Sequence, residues 1–228
     1  MTRYSRQIML PEIGEEGQRR LSEASVLIVG VGGLGSPVAA YLAGAGVGTI
    51  GLADSDTVSL SNLQRQVLYS EVQIGGPKTE CAAERLRGLN SDITVRLHPE
   101  GLTAENADEL IGAYDLTVDC CDNYATRYLI DDVCARLGRR WVYGSIGEFH
   151  GQVSVFGDGK RYSDIYADRE ALRGLPRRPA GVLGAVPGVI GAMEAAQAVE
   201  LIAGFGNPLL GRLFTIDLKT MQTNLINI

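Results

Sequence analysis

The chain has 228 residues, 45% of them hydrophobic, and a formal net charge of −6 at pH 7. That length suits one domain with a sizeable core, and the acidic balance argues against nucleic acid as a partner, which a basic surface would serve. No secretory pattern precedes the first apolar run at Val26. No uninterrupted apolar run reaches the roughly 20 residues of a membrane span; the richest candidate, residues 182–205, is broken by glycines, Pro187, Glu194 and Glu200. Cys81, Cys120, Cys121 and Cys134 form no C-x-x-C pair, so their spacing writes neither a zinc knuckle nor a redox dithiol. The expectation is a cytoplasmic protein with buried structural thiols and no membrane contact.

Residues 1–24 form a polar arm carrying Arg3, Tyr4, Arg6 and Gln7, with a helix expected over 15–21. An apolar strand over 26–29 then runs into Gly30-Val31-Gly32-Gly33-Leu34-Gly35 and a small-residue helix over 36–45. Gly30, Gly32 and Gly35 have G-x-G-x-x-G spacing: a tight turn, a backbone open to a phosphate, and close packing of helix on strand. The amides that open such a helix form an anion site. A second strand over 49–53 delivers Asp54, near the roughly 20-residue distance at which an acidic residue holds a ribose. Residues 56–66 are too polar for core and too long for a bare turn. Pro77 is placed to start a helix, a strand over 93–97 and a helix over 104–112 follow, and the apolar strand over 116–120 leads to Asp122 and Asn123, which are expected to cap a helix over 124–137. Strands over 141–144 and 152–156, a helix over 187–203 and a hairpin over 213–228 complete the chain. Residues 157–179 lack periodicity and accumulate Arg161, Arg169, Arg173, Arg177 and Arg178, the composition of a crossover loop or lid.

Strands alternating with helices at this spacing predict a doubly wound, Rossmann-like α/β fold, mainly parallel, with antiparallel strands at its C-terminal end. Gly30, Asp54 and Asp122 then share the carboxyl edge where such sheets bind ligands. The glycine turn alone does not separate an NAD(P)-dependent oxidoreductase from other nucleotide binders. Arg65 and Lys78 do: two cations at that edge match a triphosphate, and Asp122 adds a carboxylate of the kind magnesium prefers beside phosphates.

Six stretches occur in order: Arg3-Tyr4-Ser5-Arg6-Gln7, Gly30 to Gly35, Asp54-Ser55-Asp56-Thr57-Val58, Ser61-Asn62-Leu63-Gln64-Arg65-Gln66, Pro77-Lys78 and Asp122-Asn123. Together they resemble the MoeB/ThiF/HesA family, bacterial relatives of ubiquitin-activating enzymes, and the resemblance runs from residue 3 into the final strands. It implies a single ATP-binding adenylation domain over 1–228. Its substrate would be a small ubiquitin-like sulfur-carrier protein ending in Gly-Gly, activated for thiamine, molybdopterin or related biosynthesis. It further implies that Gly30, Gly32, Gly33, Leu34 and Gly35 hold ATP with Asp54 on the ribose, and that Asp56, Asn62, Arg65, Gln66, Lys78, Asp122 and Asn123 complete the nucleotide site. Arg65, Lys78 and Asp122 would serve the reaction, Asp122 as magnesium ligand, and Arg6 would reach the partner's site in a homodimer.

Two family features are missing. The first of two zinc-binding C-x-x-C pairs is expected near Tyr162-Ser163-Asp164-Ile165, where there is no cysteine, and the second beyond the last strand, so zinc is not expected. Members that bind the carrier covalently use a cysteine just before the Ala-Gly-Val that opens the late helix; here Arg177, Arg178 and Pro179 precede Ala180-Gly181-Val182. The adenylation half is intact and the sulfur-relay half is not, which keeps a non-catalytic carrier-binding partner as the alternative.

Overall fold

The computed structural model describes residues 3–173 and 181–228. Among them, eight strands form one sheet in the order β3-β2-β1-β4-β5-β6-β7-β8. Strands β1 (Ser25–Val29), β2 (Thr49–Ala53), β3 (Thr94–His98), β4 (Leu116–Asp119) and β5 (Trp141–Gly147) run parallel. Strands β6 (His150–Phe156), β7 (Arg212–Asp217) and β8 (Gln222–Asn227) add on antiparallel. This is the expected architecture. Chain order reverses between β1 and β4, and that switch point opens a crevice at the carboxyl ends of the strands.

Both faces of the sheet are covered, so β1 is apolar throughout rather than alternating. Val26 and Ile28 face one core with Val38, Leu42, Ile50 and Val118. Leu27 and Val29 face the other, with Ile130, Trp141, Tyr143 and Phe156. Leu27 and Ile28 are fully buried, each contributing about 1.5–3 kcal/mol of burial free energy. The first core is closed by α3 (Gly35–Ala45), α4 (Lys78–Leu89) and α9 (Ala185–Ala203), the second by α5 (Ala107–Gly112) and α6 (Tyr124–Leu137). Helix α9 is long and apolar enough by length and composition to cross a membrane, yet here it packs on α2 (Gly14–Glu23), α3, β5 and β6.

The N-terminal arm is fastened down. It carries α1 (Ser5–Ile8) and α2; Arg3 Nη1 donates to the Leu89 carbonyl at 3.0 Å, and Asn90 Nδ2 donates to Tyr4 Oη at 2.8 Å. Three local expectations are corrected. Pro77 is the residue before the first turn of α4, with extended backbone, not a member of that turn. Asn123 is the N-cap of α6, accepting from Thr126 N at 2.9 Å, and Asp122 stands one residue earlier. The late helix begins at Ala185, not at the Ala-Gly-Val; Val182 instead makes a bridge with Glu148.

The arginine-rich stretch holds two short helices, α7 (Tyr162–Ile165) and α8 (Arg169–Arg173), where aperiodicity predicts a loop. Sequence distance hid their anchor. Arg161 and Arg169 both pair with Asp132 of α6, at 2.9 and 2.7 Å, and Arg161 also pairs with the buried Asp131. Arg173 lies over the Tyr128 ring. These cations are spent on α6 and do not line the crevice. Arg177, Arg178 and Pro179 lie outside the described residues.

Glu194 of α9 is fully buried, and neither carboxyl oxygen has a hydrogen-bond partner among the described residues. It fills the space left by the missing side chain of Gly144, where a Cβ would fall 2.2 Å from its Cδ. Burial pushes its pKa well above the ordinary value, the Asp119 charge adds to the rise and Arg127 opposes it. The native state therefore keeps a proton that the unfolded chain releases above about pH 4.5, and stability falls as pH rises from there. Glu194→Met removes both the orphaned polar group and this titration, and should stabilise the fold by about 1–3 kcal/mol at neutral pH. Thermal unfolding at pH 5 and pH 8 checks it: the gain should be larger at pH 8, and an equal gain at both contradicts a protonated native Glu194.

Candidate active site

The crevice at the switch point has a volume of about 540 Å³, within the range of small-molecule sites. Val29, Ala53 and Cys120, the last residues of β1 and β2 and the first beyond β4, form its floor. The glycine turn crosses that floor because two side chains are absent. Gly30 has φ +91°, and a Cβ there would lie 2.7 Å from the Cys120 carbonyl. At Gly35 a Cβ would lie 2.2 Å from the Gly30 carbonyl, so only glycine lets α3 start hard against the strand it follows.

Asp54 braces the turn. Its Oδ2 accepts from Val31 N at 2.7 Å and its Oδ1 from Asp56 N at 2.8 Å. One carboxylate thus joins the turn after β1 to the turn after β2. From the far side, Tyr69 Oη donates to the Val31 carbonyl at 2.6 Å; burial pushes the phenol well above its usual pKa, and the Asp54 charge reinforces that, keeping it a donor.

Lys78 and Asp56 face each other across the crevice mouth, Nζ to Oδ2 at 2.9 Å. The pair is asymmetric: the Lys78 side chain is 6% exposed and that of Asp56 73%. A nearly buried ammonium held by a carboxylate that stands in water is arranged to take an anionic ligand with little movement of the cation. Arg65, half-buried, is steadied by a 3.1 Å bond from Nη1 to the Ser61 carbonyl. Asn62 accepts from Ser59 N in a capping box on a single 3-10 turn, Leu60–Asn62. That turn is how the polar segment 56–66 acquires a fixed shape. Gln66 is 4% exposed, sits beside Gly32, and its Oε1 has no partner among the described residues.

The structure brings Gly30, Gly32, Gly33, Leu34, Asp54, Asp56, Asn62, Arg65, Gln66, Lys78, Asp122 and Asn123 to one crevice wall or another. Gly35 stands behind the wall, and the exposed Arg6 lies on α1, away from this chain's own crevice. Sequence reasoning missed Glu100, Gly101 and Leu102 beyond β3, Ser145 and Ile146 on β5, and Tyr124 and Arg127 on α6. The signal for the first five was their place at or beyond the carboxyl ends of strands flanking the switch point. For Arg127 it was the spacing from Asn123, one helical turn.

Arg127 and Asp119 form a buried ion pair under the crevice, Nε to Oδ2 at 3.2 Å. Burial works against the charge on Arg127, and the Asp119 carboxylate overrides it, so the guanidinium stays protonated. The cysteines are inert by comparison. All four are free and buried; desolvation pushes the Cys134 thiol up to about 12, and those of Cys120 and Cys121 well above their usual value. A thiolate nucleophile needs the opposite environment.

Residues 4–228 match the model of the ThiF family. A sulfur carrier protein adenylyltransferase of Thermus thermophilus is 44% identical over 95% of this chain and 83% of its own length. The probable adenylyltransferase/sulfurtransferase MoeZ of Mycobacterium tuberculosis is 42% identical over all of this chain, which spans 60% of it. The mouse adenylyltransferase and sulfurtransferase MOCS3 is 44% identical over 94% of this chain, which spans 47% of it. Among solved structures, E. coli MccB with ATP superposes with a TM-score of 0.85 at 26% identity, over all of this chain and 71% of that one. The glycine turn braced by Asp54, the Arg65 and Lys78 cations and the mixed eight-stranded sheet are thus features of a chain that belongs to the ThiF family.

Proposed function

We propose that this protein is an ATP-dependent adenylyltransferase that activates the C-terminal Gly-Gly carboxylate of a ubiquitin-like sulfur carrier. The observation that carries the reading is the meeting, in one crevice, of the braced glycine turn with the nearly buried Lys78 and the half-buried Arg65. Two cations beside an anion-binding turn suit a triphosphate rather than a nicotinamide dinucleotide. The sulfur-carrier substrate is supported by the likeness to the Thermus thermophilus adenylyltransferase over 95% of the chain. Asp54 then takes the ribose, and the amides of the turn with Asn62, Gln66, Arg65 and Lys78 take the phosphates.

In the reaction a carboxylate oxygen of the carrier attacks the α-phosphorus of ATP. The new C–O–P anhydride forms as the bond from that phosphorus to the bridging oxygen breaks, and pyrophosphate leaves with the electron pair. Arg65 and Lys78 offset the charge on the phosphates. The protein works by positioning and charge neutralisation, with no covalent bond of its own. The high thiol pKa values accord with a reaction that ends at the acyl-adenylate, with sulfur entering elsewhere.

Magnesium fits the site through Asp122, which is exposed on the crevice wall. Among the described residues no group of three or more metal-ligating side chains occurs, and an ion carried in by phosphates needs only one or two carboxylates. When bound, it supplies further neutralisation of the phosphate charge. Arg6 belongs, in this reading, to the site of a second copy: it is exposed on α1 and absent from its own crevice.

Two outcomes follow for carrier-dependent exchange of labelled pyrophosphate into ATP, and a third for thermal stability. Asp122→Ala should lower exchange by about 100-fold or more with the melting temperature nearly unchanged; near-normal exchange would remove Asp122 from the mechanism. Arg6→Ala and Asp122→Ala proteins, each inactive, should regain about a quarter of wild-type activity once their subunits are mixed, because half of a random dimer population carries one complete site; no recovery after proven subunit exchange places Arg6 in its own subunit or outside the reaction. Finally, the melting temperature should be indifferent to a strong chelator, since α7 occupies the place of the first zinc-binding pair with a buried Tyr162; a large drop would reveal a structural metal.

A further inference from the structure

The pair beneath the crevice does more than neutralise itself. Asp119 Oδ1 accepts from Cys121 N at 3.0 Å, and Arg127 Nη2 donates to the Cys121 carbonyl at 2.9 Å. The peptide units on both sides of Cys121 are therefore gripped, and the second of them is the one that leads into Asp122. The same Nη2 reaches the Gly144 carbonyl of β5 at 3.3 Å, tying the end of β4 to its neighbour. The guanidinium is also held laterally, 5.4 Å from the Tyr143 ring centre and 6.0 Å from that of Tyr124, a residue of the crevice wall.

Stability alone does not explain such a pair. Both side chains are almost fully withdrawn from water, Asp119 completely and Arg127 to 8%, and a buried ion pair is often matched or exceeded in stability by apolar residues of similar volume. What apolar residues cannot do is fix the orientation of three backbone groups at once. We propose that the Arg127–Asp119 pair is a positioning device for adenylyl transfer: it sets the turn of residues 120–123, and so the direction in which Asp122 faces the crevice. Neither residue touches the reacting atoms; both act through the turn. This inference rests on the adenylation reading above.

The test replaces the whole pair, so that no charge is left buried alone. The double variant Asp119→Leu, Arg127→Met is compared with the parent in pyrophosphate exchange, using a ubiquitin-like carrier with a Gly-Gly terminus. A fold-only role leaves kcat within about twofold wherever the melting temperature is kept. A positioning role lowers kcat by about 10- to 100-fold at an unchanged melting temperature, with the KM for ATP within about twofold, because the glycine turn, Asp54 and Lys78 are untouched. Should the double variant not fold, Arg127→Lys retains the charge beside Asp119 but loses the fork that spans the Cys121 and Gly144 carbonyls, and the same split between kcat and KM is expected. Unchanged kcat in a folded variant, or a loss confined to the KM for ATP, overturns the inference. No exchange in the parent protein with any such carrier defeats the adenylation reading and this inference with it; exchange in the parent with unchanged kcat in the variants defeats this inference alone.

Discussion

Everything in the crevice depends on how closely two backbone segments pass each other at the end of β1. The Gly30 carbonyl stands where a Cβ of residue 35 would be, and the Cys120 carbonyl where a Cβ of residue 30 would be. Any side chain at either place would push α3 away from β1, or β1 away from β4. The amides that open the helix would then no longer face the crevice. Steric absence thus does what a side chain could not: it brings the helix terminus, the switch point and the floor of the site into register.

Around that crossing the polar groups are arranged in opposed pairs. Asp54 holds two loops by accepting backbone hydrogens, Tyr69 steadies the turn from behind, and Lys78 waits on an exposed carboxylate. Each arrangement keeps a charged or polar group satisfied without a ligand. Gln66 is the exception, buried with an unpaired oxygen. A buried amide oxygen without a partner costs free energy.

The parallel half of the sheet was legible in the sequence because its strands are short apolar runs punctuated by glycine and acidic residues. Strand β2 and helix α6 fall at the expected residues, 49–53 and 124–137. The site was legible because chemistry in this fold gathers at strand ends, and a strand end is a local signal. Long-range partners were not legible. Nothing near Arg161 or Arg169 announces that their counter-charges lie on α6, 30 and 37 residues earlier, so a basic, aperiodic stretch reads as a loop. Asp119 was hidden differently: an acid inside an apolar strand looks like the strand's polar end until its partner, eight residues on, is seen. Glu194 was invisible for the same reason, since a single acid in an apolar helix does not say which way it faces.

The buried thiols have a practical consequence. Cys120 and Cys121 lie in the crevice wall, whereas Cys134, on the buried face of α6, is not among the crevice residues. With their protons held tightly, none reacts readily with an alkylating reagent until the surrounding structure opens. The chain therefore carries its own clocks of local opening, read by mass after timed labelling. A nucleotide in the crevice closes the route to the vicinal pair and leaves Cys81 and Cys134 at their intrinsic rates, so occupancy and opening elsewhere are recorded separately in one unmodified protein.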